Sequence, residues 1–298
     1  MKLVNFGSMN VDRVYHVERF LRPGETFMAE DCQFFAGGKG LNQSVAAARA
    51  GVQVLHAGMV GEDGGILRQA LSESGVDLSC LRTVEVPSGH TVIQLDREGQ
   101  NCILVHAGAN RCLTEAYIDE VLALCGQGDI VLLQNEINQV PYILRQAAAR
   151  GLQVAFNPSP ISADMTRYPL EGVRWLILNE LEGAQLAGLE QTEWSAILDA
   201  LHEKYPAAGL VLTVGEKGVL FQDGGERLEN RAYPVPVVDS TGAGDTFCGY
   251  FLACVLLGRS MQDCLRTASG AAALSVSRPG ASASIPAMAE VEAFLKSE

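Results

Sequence analysis

Positive charge is scarce in this 298-residue chain: 22 Lys and Arg stand against 35 Asp and Glu, a formal charge of −13. So acidic a protein is a poor fit for phosphate backbones or anionic bilayers, which argues against nucleic acid and membrane as partners. A nucleotide remains compatible, because local amides and one or two cations suffice to hold phosphates. Long apolar runs are also missing. The longest, near FLACVLL (251–257), is too short to span a bilayer. The opening MKLVNFGSMNVD has one Lys and an apolar stretch broken by Asn5, Gly7 and Asn10. That is not the pattern of a secretory signal, and a cytoplasmic protein is expected. None of the eight Cys forms a CxxC pair, so free, buried or half-buried thiols are expected rather than a disulfide framework. The five His are scattered without HxxxH or HxH, and no zinc site is legible. No GxxxxGK[ST] occurs, and a GxGxxG reading fails because Phe247 stands at the third glycine position after Gly242 and Gly244.

What is present is a rhythm. KLVNFG (2–7), VQVLHAG (52–58), IVLLQN (130–135), LQVAFN (152–157), WLILN (175–179) and LVLTVG (210–215) are short apolar runs, each ending in a polar residue or Gly. Helical stretches lie between them, from about Gly40 to Ala50 and from Asp63 to Gly75, and the chain after 243 is mostly helical. Buried runs alternating with helices predict a three-layer α/β/α sandwich around a mostly parallel sheet, in one domain over 1–298. Two segments break the rhythm. Residues 13–35 and 89–106 alternate like half-exposed strands, the second with a turn at DREGQN. They predict a small antiparallel sheet projecting as a lid, with an apolar face available to a second subunit.

Four clusters carry candidate chemistry, and each has a plainer reading beside it. GSMNVD (7–12) follows the first strand, where ligands of open α/β sheets bind; Asn10 and Asp12 could grip polyol hydroxyls or simply form a turn. In AGGKGLNQS (36–44), Gly37, Gly38 and Gly40 surround Lys39, and Asn42 offers donor and acceptor; an ordinary strand-to-helix turn looks similar. In NELE (179–182), Asn179 and Glu182 sit three apart at a helix start, suited to a water-mediated Mg²⁺ site or to a capping box. In DSTGAGDTF (239–247), Gly242, Ala243 and Gly244 would expose unpaired amides at the positive end of a helix, beside Asp245. Asp245 there is either a base next to an anion hole or a helix-favouring acid.

Together these segments resemble the ribokinase-like (PfkB) carbohydrate kinases. The resemblance runs through the chain in order, from GSMNVD and GGKGLN through HAGAN (106–110), NELE, TVGEKG (213–218) and DSTGAGD to SVSRPGASAS (275–284). It implies ATP-dependent transfer of a γ-phosphoryl group to a sugar hydroxyl. The GS-x-N-x-D start, GGKG-x-N and the isolated Glu136 in LLQNEI are similar to the ribose-directed branch, implying D-ribose converted to ribose 5-phosphate. A nucleoside, fructose or a keto-deoxy sugar acid are the alternative acceptors. A non-catalytic sugar sensor would predict decay at Asp245 or its glycines, and both are intact.

The resemblance also implies roles. Asp245 matches the catalytic base, with Gly242, Ala243 and Gly244 as the anion hole. Asn10, Asp12, Gly38, Lys39, Asn42 and Glu136 match sugar-contacting positions. Asn179 and Glu182 match the Mg²⁺–phosphate motif, the metal held through water. Thr213, Gly215 and Gly218 match the nucleotide loop, and Ser269 stands where some members carry His near the adenine. Asp239, Thr241, Ser275, Arg278, Gly280 and Ser284 match a monovalent-cation (K⁺) loop, mostly through backbone carbonyls. A homodimer through the lid is implied as well. Tyr250 stands where a small residue is usual and is expected to crowd helix packing. Leu41 and Thr91 replace the usual Ala and are expected to reshape the sugar pocket.

Overall fold

The computed structural model describes residues 1–190 and 193–298. The chain enters through β1 (Leu3–Phe6), β2 (Asn10–His16), β3 (Asp31–Gly37) and α1 (Lys39–Arg49). It continues through β4 (Val54–Val60), α2 (Gly65–Glu73), β5 (Leu81–Thr83), β6 (Gly89–Leu95), β7 (Asn101–His106) and α3 (Glu115–Leu122). The middle of the chain forms β8 (Ile130–Gln134), α4 (Val140–Ala149), β9 (Gln153–Asn157), β10 (Trp175–Asn179), α5 (Glu180–Ala187) and α6 (Trp194–Lys204). β11 (Gly209–Thr213), β12 (Val219–Asp223), β13 (Glu226–Asn230), α7 (Ala243–Leu256), α8 (Met261–Val276) and α9 (Met288–Ser297) complete it.

Nine strands form one sheet in the order β13-β12-β11-β10-β9-β8-β1-β4-β5. Every neighbouring pair is parallel except β11/β12 and β12/β13. The apolar runs are continuous because both faces of the sheet are covered. Side chains alternate between the two faces. Ile130 and Leu132 join the core under α1, α7 and α8, while Val131 and Leu133 join the core under α3, α4 and α6. The antiparallel hairpin β12–β13 at the sheet's edge lies beyond the sequence prediction; it turns at Gly224-Gly225.

The helix predicted from Asp63 starts two residues later. Asp63 is drawn aside to accept the Ser88 backbone N–H at 2.8 Å, and Gly64 closes a turn onto the Gly61 carbonyl. A second sheet, ordered β3-β2-β6-β7, stands on the first. Its outer pairs are antiparallel, as predicted, but its central pair β2/β6 is parallel. The parallel pair arises because β2 and β6 each enter from the main sheet, β2 after β1 and β6 after β5, and run outward side by side. Residues 17–30, within the segment expected to be extended, form an irregular connection between β2 and β3.

Two departures from the family pattern prove structural. Tyr250 does not crowd the packing of α7. Its side chain is fully buried, and its hydroxyl donates to the Pro286 carbonyl at 2.7 Å. The close approach to α1 is made by its neighbour Gly249, where a Cβ would sit 2.5 Å from the Ala46 Cβ and 2.7 Å from the Gln43 carbonyl oxygen. Leu41, expected to shape a sugar pocket, is instead fully buried in the core.

Candidate active site

Because β1, β8, β9, β10 and β11 are parallel, their carboxyl ends open onto one edge of the sheet. Asn10, Glu136, Asn157, Asn179 and Thr213 all lie at or just beyond those ends. The N-terminus of α7 meets them there. Gly242 caps α7 in the left-handed region, with φ at 76°, a conformation that glycine adopts without steric cost. The Ala243 amide reaches back to the Ser240 carbonyl at 3.3 Å, whereas the Gly244 and Asp245 amides make no backbone bond to a loop carbonyl among the described residues. A Cβ placed on Gly244 would meet nothing within 4 Å, so this end of the helix is open. An open helix N-terminus with free amides attracts an anion.

Asp245 sits in the first turn of α7, only 7% exposed. Asn42 Nδ2 donates to its Oδ2 at 2.9 Å and Gln43 Nε2 donates to its Oδ1 at 2.9 Å. Burial raises its pKa above the ordinary carboxylate range, opposed by the Lys39 charge and by the two amides. Lys39, at the first position of α1, faces several acids. Burial pulls its pKa down, but Asp245, Glu136 and Glu182 together outweigh that and leave it raised and cationic. Glu136 accepts from the Ser8 hydroxyl and, at 3.3 Å, from the Lys39 amide. Its own pKa is raised by burial against the pull of Lys39.

Asp12 and Asn10 arrive on β2. Thr91, directly opposite Asp12 on β6, donates to Asp12 Oδ1 at 2.7 Å. Thr91 therefore holds the Asp12 carboxylate in place. Burial raises the Asp12 pKa and the Thr91 bond lowers it. Asn10 Oδ1 accepts from Asn110 Nδ2 at 2.9 Å, and the rest of the Asn110 carboxamide is fixed on the Met9 backbone. Asn110 belongs to the HAGAN segment, whose role was not legible from sequence.

Asn179 and Glu182 form a reciprocal capping box: Glu182 N–H donates to Asn179 Oδ1 at 2.8 Å and Asn179 N–H to Glu182 Oε2 at 3.0 Å. The cap is real, and it leaves Glu182 Oε1 and Asn179 Nδ2 unused by it. Thr213 ends β11, and Gly215 and Gly218 both have positive φ in the loop that follows. Ser269 is buried midway along α8. Asp239 ties two loops together, accepting from Thr241 N–H and Gly280 N–H, each at 2.9 Å. Ser275 and Ser284 turn their hydroxyls onto carbonyls of their own segments. The Arg278 guanidinium leaves the loop for Glu290. No cluster of three or more His, Cys, Asp or Glu able to hold a metal occurs among the described residues.

Free helix amides beside a buried carboxylate and a lysine, at the carboxyl edge of a parallel sheet, define a site for moving an anionic group onto an acceptor hydroxyl. The fold and this site are those of a phosphotransferase. The chain matches the pfkB family carbohydrate kinases over residues 1–288, belongs to that family and is a sugar kinase. It is 34% identical to the ribokinase of Haemophilus influenzae, over 99% of this chain and 98% of that one. Among solved structures, ribokinase of Arabidopsis thaliana complexed with ribose and ATP superposes with a TM-score of 0.90, at 32% identity, covering 99% of this chain and 98% of that one. Ribokinase of Cryptococcus neoformans in complex with ADP gives a TM-score of 0.87 at 33% identity, covering 98% and 99%.

Proposed function

We propose that this kinase transfers the γ-phosphoryl group of ATP to the primary 5-hydroxyl of D-ribose. The observation that carries the reading is Asp245, a buried carboxylate held between Asn42 and Gln43 and set beside the free amides that open α7. Asp245 accepts the proton of the attacking hydroxyl, a contribution of about 10²–10⁴-fold for a placed base. The amides at 242–245 and the Lys39 charge stabilise the migrating phosphoryl group. Asn10, Asp12, Gly38, Asn42 and Glu136 hold the remaining hydroxyls. Asn42 Oδ1 is buried without a partner among the described residues, an acceptor suited to one of them.

Thr213, Gly215, Gly218 and Ser269 belong to the nucleotide side. Mg²⁺ fits the donor set, because it keeps several waters and needs few protein oxygens. Asn179 and Glu182 would hold it, the Glu182 Oε1 oxygen being free of the capping box. Bound there with the nucleotide, it would neutralise phosphate charge. K⁺ fits the paired loops at 238–241 and 275–284, which Asp239 closes while their carbonyls supply neutral oxygens; it would steady the amide cradle they support. Arg278 would contribute its carbonyl alone.

The single domain over 1–298 includes the β3-β2-β6-β7 sheet, which serves as a lid that excludes water during transfer. Phe35, Ile103 and Val105 lie exposed on the face of that sheet that carries Asp12, an apolar surface for a second copy, while Phe34 and Leu104 are exposed on the opposite face. No helix among the described residues is long and apolar enough to cross a membrane, and all eight Cys are free. Free thiols and a need for ATP suit the cytoplasm.

ADP release coupled to NADH oxidation, measured with D-ribose, D-fructose, adenosine and a keto-deoxy sugar acid, tests the proposal. D-ribose is expected to give the highest kcat/KM. A higher value for any other acceptor would overturn the ribose assignment, and no ADP with any of them would overturn the kinase reading.

A further inference from the structure

Gln43 was no part of the site legible in the sequence, yet it is fully buried and makes one of the two direct bonds to Asp245. Its side chain lies at a junction of carboxamides contributed by four different strands and helices. Gln43 Nε2 donates to Asp245 Oδ1 at 2.9 Å and to Asn157 Oδ1 at 3.1 Å, while Gln43 Oε1 accepts from Gln134 Nε2 at 2.7 Å.

The direction of every bond in this junction is set from its ends. Asn157 Nδ2 donates to the Ile177 carbonyl at 2.9 Å, so its oxygen must face Gln43. Asn5 Nδ2 donates to the Gly40 carbonyl and to Ser44 Oγ, both at 2.8 Å, so its oxygen must face Gln134. Gln134 Nε2 then bridges Asn5 Oδ1 at 3.0 Å and Gln43 Oε1. Backbone carbonyls have no donor role, so neither end can reverse. Were Gln43 flipped, its oxygen would face both Asp245 Oδ1 and Asn157 Oδ1, and its amide would face the amide of Gln134. The sheet thus dictates that Gln43 offers N–H to Asp245.

We infer that Gln43 is a positioning residue for Asp245, held in its donating orientation by the buried relay Asn5–Gln134–Gln43–Asn157. The inference rests on Asp245 being the base. Its members are neutral carboxamides, so the relay neither delivers nor removes a proton. It fixes the plane of the carboxylate and stabilises its charged form, leaving the lone pairs not engaged by Asn42 and Gln43 for the acceptor hydroxyl. The charged or titratable groups facing Asp245 are Lys39 on α1, Glu182 on α5, Glu136 beyond β8 and Cys248 on α7 itself. Gln43 bonds to none of these, so a change at Gln43 reads out on Asp245.

Two variants and one control test this. Gln43→Met keeps the volume and removes the donor. Gln134→Met removes the group that orients Gln43 and touches Asp245 nowhere. In Gln43→Met the acidic limb of the kcat–pH profile is expected to move to higher pH by about one unit, the worth of one bond to a charged group. Plateau kcat is expected to fall by about tenfold, with KM for D-ribose and ATP within about twofold, because orientation rather than binding is lost. Gln134→Met is expected to shift the same limb in the same direction by a smaller amount. Folded variants, checked by circular dichroism, whose acidic limb stays at the wild-type position would overturn the inference; if Gln43→Met does not fold, Gln134→Met alone decides. Asp245→Ala separates the two claims. An active Asp245→Ala removes the base and the inference with it, whereas an inactive one alongside unshifted Gln variants removes the inference only.

Discussion

Replacing Asp245 by Asn removes one proton acceptor and almost no volume. A placed base contributes about 10²–10⁴-fold, equivalent to about 2.7–5.5 kcal/mol of barrier at 1.36 kcal/mol per decade. The surroundings sharpen the outcome. Both groups bonded to Asp245 are donors, Asn42 Nδ2 and Gln43 Nε2, each at 2.9 Å. An Asn side chain has one oxygen and one NH₂: the oxygen accepts from the locked Gln43, and the NH₂ faces Asn42, whose carboxamide must turn its unpartnered Oδ1 toward it, so both bonds lose their charge-assisted character. Each lost bond to a charged group costs about 1.5–3 kcal/mol. Against that, a carboxylate no longer has to be buried, and this relief is of comparable size. Stability should therefore move little while turnover collapses. In a coupled ADP assay kcat is expected to fall at least about 100-fold. Calorimetry should find the D-ribose Kd within about tenfold of wild type, the worth of about one hydrogen bond. A variant that keeps kcat within about tenfold of wild type would refute the role of Asp245 as base.

The Tyr250→Phe variant should leave the buried Pro286 carbonyl unpaired, costing about 1–3 kcal/mol, and lower Tm by about 2–4 °C per kcal/mol; an unchanged melting curve would show that this bond contributes nothing. Asp239→Ala frees the Thr241 and Gly280 amides and unties the two loops. Its rate in K⁺ relative to choline should fall to that of the unstimulated enzyme while D-ribose binding is kept, and full retention of K⁺ activation would remove the cation from this place. Because burial raises the Asp245 pKa and the base works deprotonated, kcat of the wild-type enzyme should rise with pH through a midpoint above the ordinary carboxylate range. A flat profile down to pH 4 would contradict that.

The legible part of this protein was local. Continuous apolar runs ending in Asn, Gln, Thr or Gly marked β1, β8, β9, β10 and β11, because a strand covered on both faces needs no polar alternation. The cap of α7 was readable because a left-handed turn followed by open amides requires small residues in a row. The capping box at Asn179 and Glu182 was one of two open readings. The structure realises it without using up the carboxylate. The hairpin β12–β13 escaped, as did the parallel pairing of β2 with β6, since strand direction depends on where each strand enters.

The sequence by itself determined the order of elements, the glycine turn before Asp245 and the acidic and amide residues gathered in short motifs, because those are set by residues within one or two turns of each other. Only the tertiary structure decided what those residues face. Gln43 and Asp245 are 202 positions apart, Thr91 and Asp12 are 79 apart, and Tyr250 on α7 reaches Pro286, 36 positions on in the loop before α9. No local pattern encodes those bonds, since each partner is chosen by which strand end or helix packs beside it. Burial then gives the choice its weight: an amide bond to a carboxylate that water would make trivial becomes, in this enclosed site, a contact strong enough to hold the carboxylate in one orientation.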